Sequence, residues 1–434
     1  MKTQTKRWIS NLDRMVLRGV VVLLALIFVF LPYNASHNPN ALSSAMPKDS
    51  LFRPWSESNI EWAAHKRLWR EDSLAWAQDV EFGRNNSQLD SIFTRMHRKK
   101  RFNGTVLVAE KGKILHIGAY GYAHFARKDT LTIHSNFQLA SLSKIFTATA
   151  VMLLQEDGLI DFDDPVHMHL SEFPYENITI RHLLNHRSGL ARYMWAAAEH
   201  WKTWQIPMSN QDVLNMYSRH KPPMIFRPDR SFNYSNTNYV MLASIVERVS
   251  GIPFDVFVAK RIFEPLEMEN SLVYSRLFSF DVPDAVSGYK GSYHGLRIAD
   301  TDYLDGVMGD KGMYSNVMDL YQFDRALYEG RLLQAETLEE AYRPGSPGDR
   351  SNYGFGWRMK LGRNKIVYHF GWWRGFKACF IRDLKQERTM ILLTNVDAPG
   401  YQVPYWNVFY QVSDAIDDFQ PPAWESDAPL ASGI

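Results

Sequence analysis

The chain has 434 residues, 45% of them hydrophobic and 22% charged, with a formal net charge of +2. That is enough apolar material for one large domain or two, and a near-neutral balance without a basic stripe interleaved with aromatics argues against nucleic acid as a partner. A lone cysteine, Cys379, excludes an internal disulfide and a cysteine metal cluster.

In chain order, Lys2, Lys6, Arg7, Arg14 and Arg18 precede an uncharged stretch at residues 19–36, whose apolar heart is 20–31. A basic end followed by an apolar run is the pattern of a signal peptide or of a membrane anchor with its basic end inside. The apolar heart is short for a spanning helix. Yet no small-x-small cleavage site lies close behind it: Tyr33-Asn-Ala35 carries a bulky residue, and Ser43-Ser-Ala45 lies far downstream. The balance favours an anchor through residues 19–33. Either way the rest of the chain is expected to be exported, to the periplasm or cell envelope.

Residues 37–87 read as a linker followed by a tryptophan-rich helical segment. Trp55, Trp62, Trp69 and Trp76 recur every seven residues and mark one helix face. That stripe either packs on the main domain or meets headgroups near a membrane. A helix at 88–101, closed by the solvated run His97-Arg-Lys-Lys-Arg101, leads to two strands, 104–109 and 114–120, around Glu110-Lys-Gly-Lys113. This is a β-hairpin.

Ser141 and Lys144 then stand three residues apart at the mouth of a long apolar helix that runs to Glu156 and stops at Asp157-Gly158. Positions i and i+3 share a helix face, so hydroxyl and amine can meet, the arrangement that activates a serine for acyl transfer. The same spacing at Ser218/Lys221 runs into Pro222-Pro223, and at Ser287/Lys290 it lies in a loop. Context selects Ser141.

Residues 150–345 carry mostly helical periodicity. Strand character returns at 366–369, 376–382 and 389–395, followed by a helix at 403–418 and a frayed tail at 423–434. Strands at both ends of the sequence with a helical block between them imply one antiparallel sheet flanked by helices. His182 and His186 stand at i and i+4, but no glutamate follows His182 and no cysteine joins them, so neither a metal nor another cofactor is expected.

Six segments occur in an order that resembles the serine β-lactamase and penicillin-binding-protein superfamily, nearest its class C β-lactamase-like branch. They are Phe137-Gln-Leu-Ala-Ser-Leu-Ser-Lys-Ile-Phe-Thr-Ala-Thr-Ala150, Gly158-Leu-Ile-Asp-Phe-Asp-Asp-Pro165, Ile178-Thr-Ile-Arg-His-Leu-Leu-Asn-His-Arg-Ser-Gly-Leu190, Phe232-Asn-Tyr-Ser-Asn-Thr-Asn-Tyr239, Tyr353-Gly-Phe-Gly-Trp357 and His369-Phe-Gly371 with Gly375-Phe376. The resemblance implies an α/β (α+β) fold. One domain, 88–422, would combine a sheet part (88–140 and 350–422) with an all-helical part (150–345), the site lying in the cleft between them. It implies Ser141 as nucleophile and Lys144 as its partner. Tyr234 would be general base and then acid, and Asn236 would orient Lys144 and the substrate. His369 would stand on the strand that lines the cleft.

The resemblance also implies an oxyanion hole from the backbone N–H groups of Ser141 and Trp372, beside Gly371. Tyr314-Ser-Asn316 is the main rival to Tyr234-Ser-Asn236. Phe370 stands where relatives carry a hydroxyl that helps hold a substrate carboxylate, and Arg374 could take over that carboxylate. The expectation is an exported, monomeric serine hydrolase that forms an acyl-enzyme with a small-molecule or peptide substrate. D-alanyl-D-alanine carboxypeptidase, β-lactamase and esterase are the activities to separate. A protein that is acylated without turnover, as a sensor, is the alternative outside enzymology.

Overall fold

In the computed structural model, which describes residues 87–278, 281–292, 295–346, 352–360 and 365–418, the apolar runs from the two ends of the chain pair into one sheet. Its strands are β1 (Gly104–Glu110), β2 (Lys113–Tyr120), β3 (Asn352–Tyr353), β4 (Arg358–Lys360), β5 (Ile366–Trp373), β6 (Phe376–Asp383) and β7 (Arg388–Thr394). The order is β3-β4-β5-β6-β7-β1-β2, every pair antiparallel. The earliest strand therefore lies against the last, with Gly104 opposite Thr394 and Glu110 opposite Arg388.

Side chains alternate between the two faces of a strand, and both faces here are apolar. Val106, Val108, Ile381, Met390 and Leu392 point to one side. There they meet Leu89 and Phe93 of α1 (Ser87–Arg98) and Val408, Phe409 and Val412 of the last helix, Tyr405–Asp417. Leu107, Phe380, Ile391 and Leu393 point to the other side, into a larger core. That core includes α2 (Ser143–Glu156), α3 (Ile180–Leu184), α4 (Tyr193–His200), α5 (Asn210–His220), α6 (Asn236–Ser250) and α7 (Val317–Glu329). Complete burial of one such leucine or phenylalanine is worth about 1.5–3 kcal/mol. Helix α2 is buried on every side from Ser143 to Leu154, as a helix apolar all round must be.

The block between the end strands is not wholly helical. Tyr289–Ser292 and Gly295–Ile298 form a hairpin that adds to Val396–Asp397, and Phe137–Gln138, Met313–Ser315 and Leu272–Val273 make a second small sheet. These pieces are two to four residues long, too short to leave a period in the sequence. The second small sheet leads straight into the Ser141 turn, with the Leu139 N–H donating to the Met313 carbonyl at 2.8 Å.

Among the described residues no helix is long and apolar enough to cross a membrane. The N-terminal segment at 19–36, the tryptophan stripe at 55–76 and the tail at 423–434 lie outside the described residues.

Candidate active site

Ser141 sits in a 3-10 turn, Ala140–Leu142, placed immediately before α2. Ala140 has φ +51°, a left-handed conformation that costs a non-glycine residue about 1–2 kcal/mol and turns the chain sharply ahead of the serine. Its neighbours hold it there: Ala140 and Leu142 are fully buried, while Ser141 keeps partial exposure. The following helical turn sets Lys144 above Ser141, and the Lys144 Nζ donates to the Ser141 Oγ at 3.1 Å.

Lys144 is itself completely buried. Its second acceptor is the Asp310 backbone carbonyl at 2.7 Å. That carbonyl comes from the loop Gly309-Asp-Lys-Gly312, whose two glycines have φ +98° and +94°. A Cβ on Gly309 would lie 2.5 Å from both Ala243 Cβ and the Tyr239 carbonyl oxygen, so only glycine lets the loop press between α2 and α6. The Asp310 carboxylate accepts from the Tyr193 hydroxyl at 3.2 Å and from the Lys311 Nζ at 3.3 Å, and the Lys311 Nζ also donates to the Tyr193 hydroxyl at 2.9 Å. The loop thus brings its own charge compensation into the core.

Tyr234 approaches from the segment that opens α6, and the Lys144 Nζ lies 5.1 Å from its ring centroid. The rival Tyr314 is elsewhere. It lies in the small sheet opposite Gln138, its ring packs on Tyr274 and Phe376, and burial pushes its phenol up, away from ionisation. Asn316 is occupied as the N-cap of α7, its Oδ1 accepting from the N–H groups of Met318 and Asp319. Asn236, by contrast, keeps a buried Oδ1 with no hydrogen-bond partner. The acceptors of Lys144 are Ser141 and Asp310; Asn236 is not one of them.

His369 and His186 back the tyrosine, with ring centroids 6.1 and 4.4 Å from that of Tyr234. The His369 Nδ1 lies 2.9 Å from the Phe370 carbonyl, which assigns it the proton and leaves Nε2 to accept from the Tyr353 hydroxyl at 3.0 Å. Burial, then the charges of Arg358 and Lys144, hold its pKa well below 6.5, so the ring is neutral near pH 7. His186 accepts the Ser235 N–H at Nδ1, 3.2 Å away, and burial pushes its pKa down in the same direction. His182 closes a capping box with Thr179 at the start of α3. The spaced pair His182/His186 serves structure.

The sheet opens at the site. Strand β4 pairs with β5 only as far as Tyr368, and beyond it the Ser141 turn comes in beside β5. A Cβ on Gly371 would stand 2.2 Å from the Leu139 carbonyl oxygen and 3.2 Å from Ala140 Cβ. This contact sets β5 at Gly371 directly against the Leu139–Ala140 turn that precedes Ser141. The expectation for Arg374 needs correction, and Phe370 offers the cleft nothing in place of the hydroxyl. The Phe370 ring turns to the opposite face and packs on Tyr405 and Tyr368, centroids 4.8 and 5.0 Å away. Arg374 is tied to the carboxylates of Asp302 and Asp305, which neutralise it in place. Trp372 remains 66% exposed, its indole N–H donating to Asp397 at 2.7 Å.

Sequence reasoning missed Asp310, Lys311, Tyr353 and Arg358. The paired glycines around Asp310-Lys311 were the one available signal for a loop in close backbone contact.

The β-lactamase family profile matches residues 89–411. The chain belongs to the β-lactamase family. It is 38% identical to a penicillin-binding protein of Bacillus subtilis (strain 168) over 71% of each chain. It is 24% identical to a D-aminopeptidase of Gluconobacter oxydans (strain 621H), covering 67% of this chain and only 55% of that relative's length. The D-amino acid amidase of Ochrobactrum anthropi SV3, solved with D-phenylalanine, superposes with a TM-score of 0.62 at 25% identity, covering 77% of this chain and 98% of that one. The chain is accordingly a serine hydrolase of the β-lactamase and penicillin-binding-protein type.

Proposed function

We propose that this β-lactamase-family chain hydrolyses a small amide or ester through an acyl-enzyme on Ser141, a D-amino-acid derivative being the foremost substrate class. The observation that carries the reading is the Lys144 ammonium, 3.1 Å from the Ser141 hydroxyl and 5.1 Å from the centre of the Tyr234 ring. In this mechanism the Tyr234 phenolate takes the Ser141 proton as Oγ bonds to the substrate carbonyl carbon. The Ser141 and Trp372 N–H groups hold the oxyanion. Tyr234 then returns the proton to the leaving amine or alcohol as that bond breaks. Water repeats the sequence on the ester to free the acid and Ser141. Lys144 carries the positive charge that favours the phenolate, and Asn236 supplies an acceptor to a substrate amide N–H.

The D-amino-acid class rests on the resemblance to the D-aminopeptidase and the D-amino acid amidase. Engagement of Arg374 by Asp302 and Asp305 favours substrates whose carboxylate is not gripped at that point. The basic and apolar N-terminal sequence supports action outside the cytoplasm. The test is a panel of a D-amino acid amide, a D-Ala-D-Ala peptide, a chromogenic cephalosporin and a p-nitrophenyl ester, each given to wild type and Ser141→Ala. Turnover of the amide and ester that vanishes in Ser141→Ala, with an acyl adduct on Ser141 by mass spectrometry, is the expected result. Hydrolysis that survives the substitution overturns the mechanism. A stable adduct without product release would convert the reading into that of a sensor.

A further inference from the structure

Tyr234 lies between two cations. The Lys144 Nζ is 5.1 Å from its ring centroid, and the Arg358 guanidinium carbon, reaching in from β4, is 4.9 Å from the same point. Arg358 is partly buried, also rests 5.7 Å from the Tyr353 ring centroid, and has no carboxylate partner among the described residues. The buried arginines are neutralised by acids, Arg187 by Asp229, Arg382 by Asp324 and Arg388 by Glu110 and Asp417, and part-buried Arg181 pairs with Asp163 and Glu340. Arg358 is left as net positive charge beside the reacting centre.

The other groups around Tyr234 are neutral. His186, following α3, contributes a ring whose Nδ1 is already an acceptor. Tyr239 of α6 donates its hydroxyl to the Leu184 carbonyl at 2.9 Å, and burial pushes its phenol up. Tyr353 of β3 donates to His369 of β5, and burial pushes its phenol up as well. His369 stands where a protonated side chain would serve Tyr234, but both of its nitrogens are committed, to Phe370 and Tyr353. Lys144 supplies one cation from α2, and Arg358 is the only other one within 6 Å of the ring centroid among the described residues.

We infer that Arg358 is a positioning residue for catalysis, the second positive charge held against the Tyr234 ring, there to favour the phenolate that accepts the Ser141 proton, in the place that His369 does not fill. With its charge 4.9 Å from the ring centre, the guanidinium lies within about 8 Å of the phenol oxygen, close enough in a partly dry site to change the phenolate population by about tenfold. Because arginine stays protonated throughout the working range, this support does not fade with pH as a histidine's would.

The inference rests on the acyl-enzyme reading above, and its test separates the two. Arg358→Gln and Arg358→Met remove the charge with side chains of different polarity, and Arg358→Lys keeps it; melting curves confirm that each folds. The pH profile of kcat/KM is then measured on a neutral p-nitrophenyl ester and on a carboxylate-bearing D-Ala peptide ester. With either neutral replacement, kcat/KM is expected to fall about tenfold or more at the acid end of the profile and to recover toward wild type at the alkaline end. The loss should be the same for both substrates, and Arg358→Lys should restore most of it. A loss confined to the carboxylate-bearing substrate would overturn the inference and make Arg358 a substrate contact. A uniform loss at every pH, not restored by lysine, or no loss at all, would overturn it too. Ser141→Ala run beside them reports on the acyl-enzyme reading alone: if it stays active, that reading fails whatever Arg358 does.

Discussion

Gly371 and Leu139 touch through their backbones, so closely that a methyl group on Gly371 would stand 2.2 Å from the Leu139 carbonyl oxygen. One of these residues precedes Trp372, the proposed oxyanion donor, on β5, and the other belongs to the turn that presents Ser141. Gly371→Ala must therefore push the two apart. A displacement near 1 Å costs about a hundredfold in a positioned reaction, so kcat should fall by roughly that factor, and the clash should also lower the melting temperature. Steady-state kinetics with a p-nitrophenyl ester will show it. Full activity in the variant would mean that the oxyanion is held elsewhere.

Tyr234 and Tyr314 both open a Tyr-Ser-Asn run, and their neighbourhoods predict opposite results. Removing the hydroxyl in Tyr234→Phe should lower kcat by about 10²–10⁴, the usual contribution of a proton-transfer group. Tyr314→Phe, in a ring wedged between Tyr274 and Phe376, should stay within a few-fold of wild type. If the order is reversed in stopped-flow acylation, the assignment of the base is wrong.

Burial of His186 and His369 has a consequence for stability. Both are held well below 6.5 in the folded chain, by burial first, whereas in the unfolded chain they protonate near 6.5. Below that pH the unfolded state binds more protons, so stability falls as pH falls, by about 1.4 kcal/mol per pH unit for each histidine. Desolvation also lowers His116 and His182, which act in the same direction. Urea unfolding at pH 7.5 and 5.5 should show the weaker fold at pH 5.5, and His186→Asn should shrink the difference. A protein more stable at pH 5.5 would contradict this.

Deep in the larger core, the Arg382 Nε donates to Asp324 at 2.6 Å and its Nη1 donates to the Tyr342 hydroxyl at 2.6 Å, while the Thr389 hydroxyl donates to the same carboxylate at 3.0 Å. This network joins α7 to β6 and β7 away from the cleft. Asp324→Ala strands a buried guanidinium and should cost about 3–5 kcal/mol in a denaturant titration. Replacing both partners by apolar residues, Asp324→Leu with Arg382→Met, should recover much of that. A single-variant loss below about 1 kcal/mol would show that water reaches the guanidinium.

How much of this was legible in the sequence depends on the range of the interaction. The hairpin of β1 and β2, helix α2 and the strands β5 to β7 are written in local periodicity, and Ser141 and Lys144 in the spacing at the mouth of α2. The choice between Tyr234 and Tyr314 is not local, since the spacing is identical and only the partners differ: Asn316 caps a helix and Asn236 does not. Phe370 shows a readable rule left unapplied. On β5, His369 and Gly371 face the site, so period-2 alternation sends Phe370 and Trp372 the other way. Arg374 and Arg358 illustrate the limit. Each is one arginine near the cleft, and only the folded chain shows that Asp302 and Asp305 neutralise the first while no acid of the described residues reaches the second.

The pairing of Gly104 with Thr394 closes the sheet across almost the whole described chain. During synthesis β1 emerges long before β7, its neighbour, so it must wait with two apolar faces and an open edge. A nascent or C-terminally truncated chain lacking β7 therefore offers a sticky strand that holdase chaperones would recognise. A chain threaded through a secretion pore would begin to fold as a unit only after its last strand had crossed.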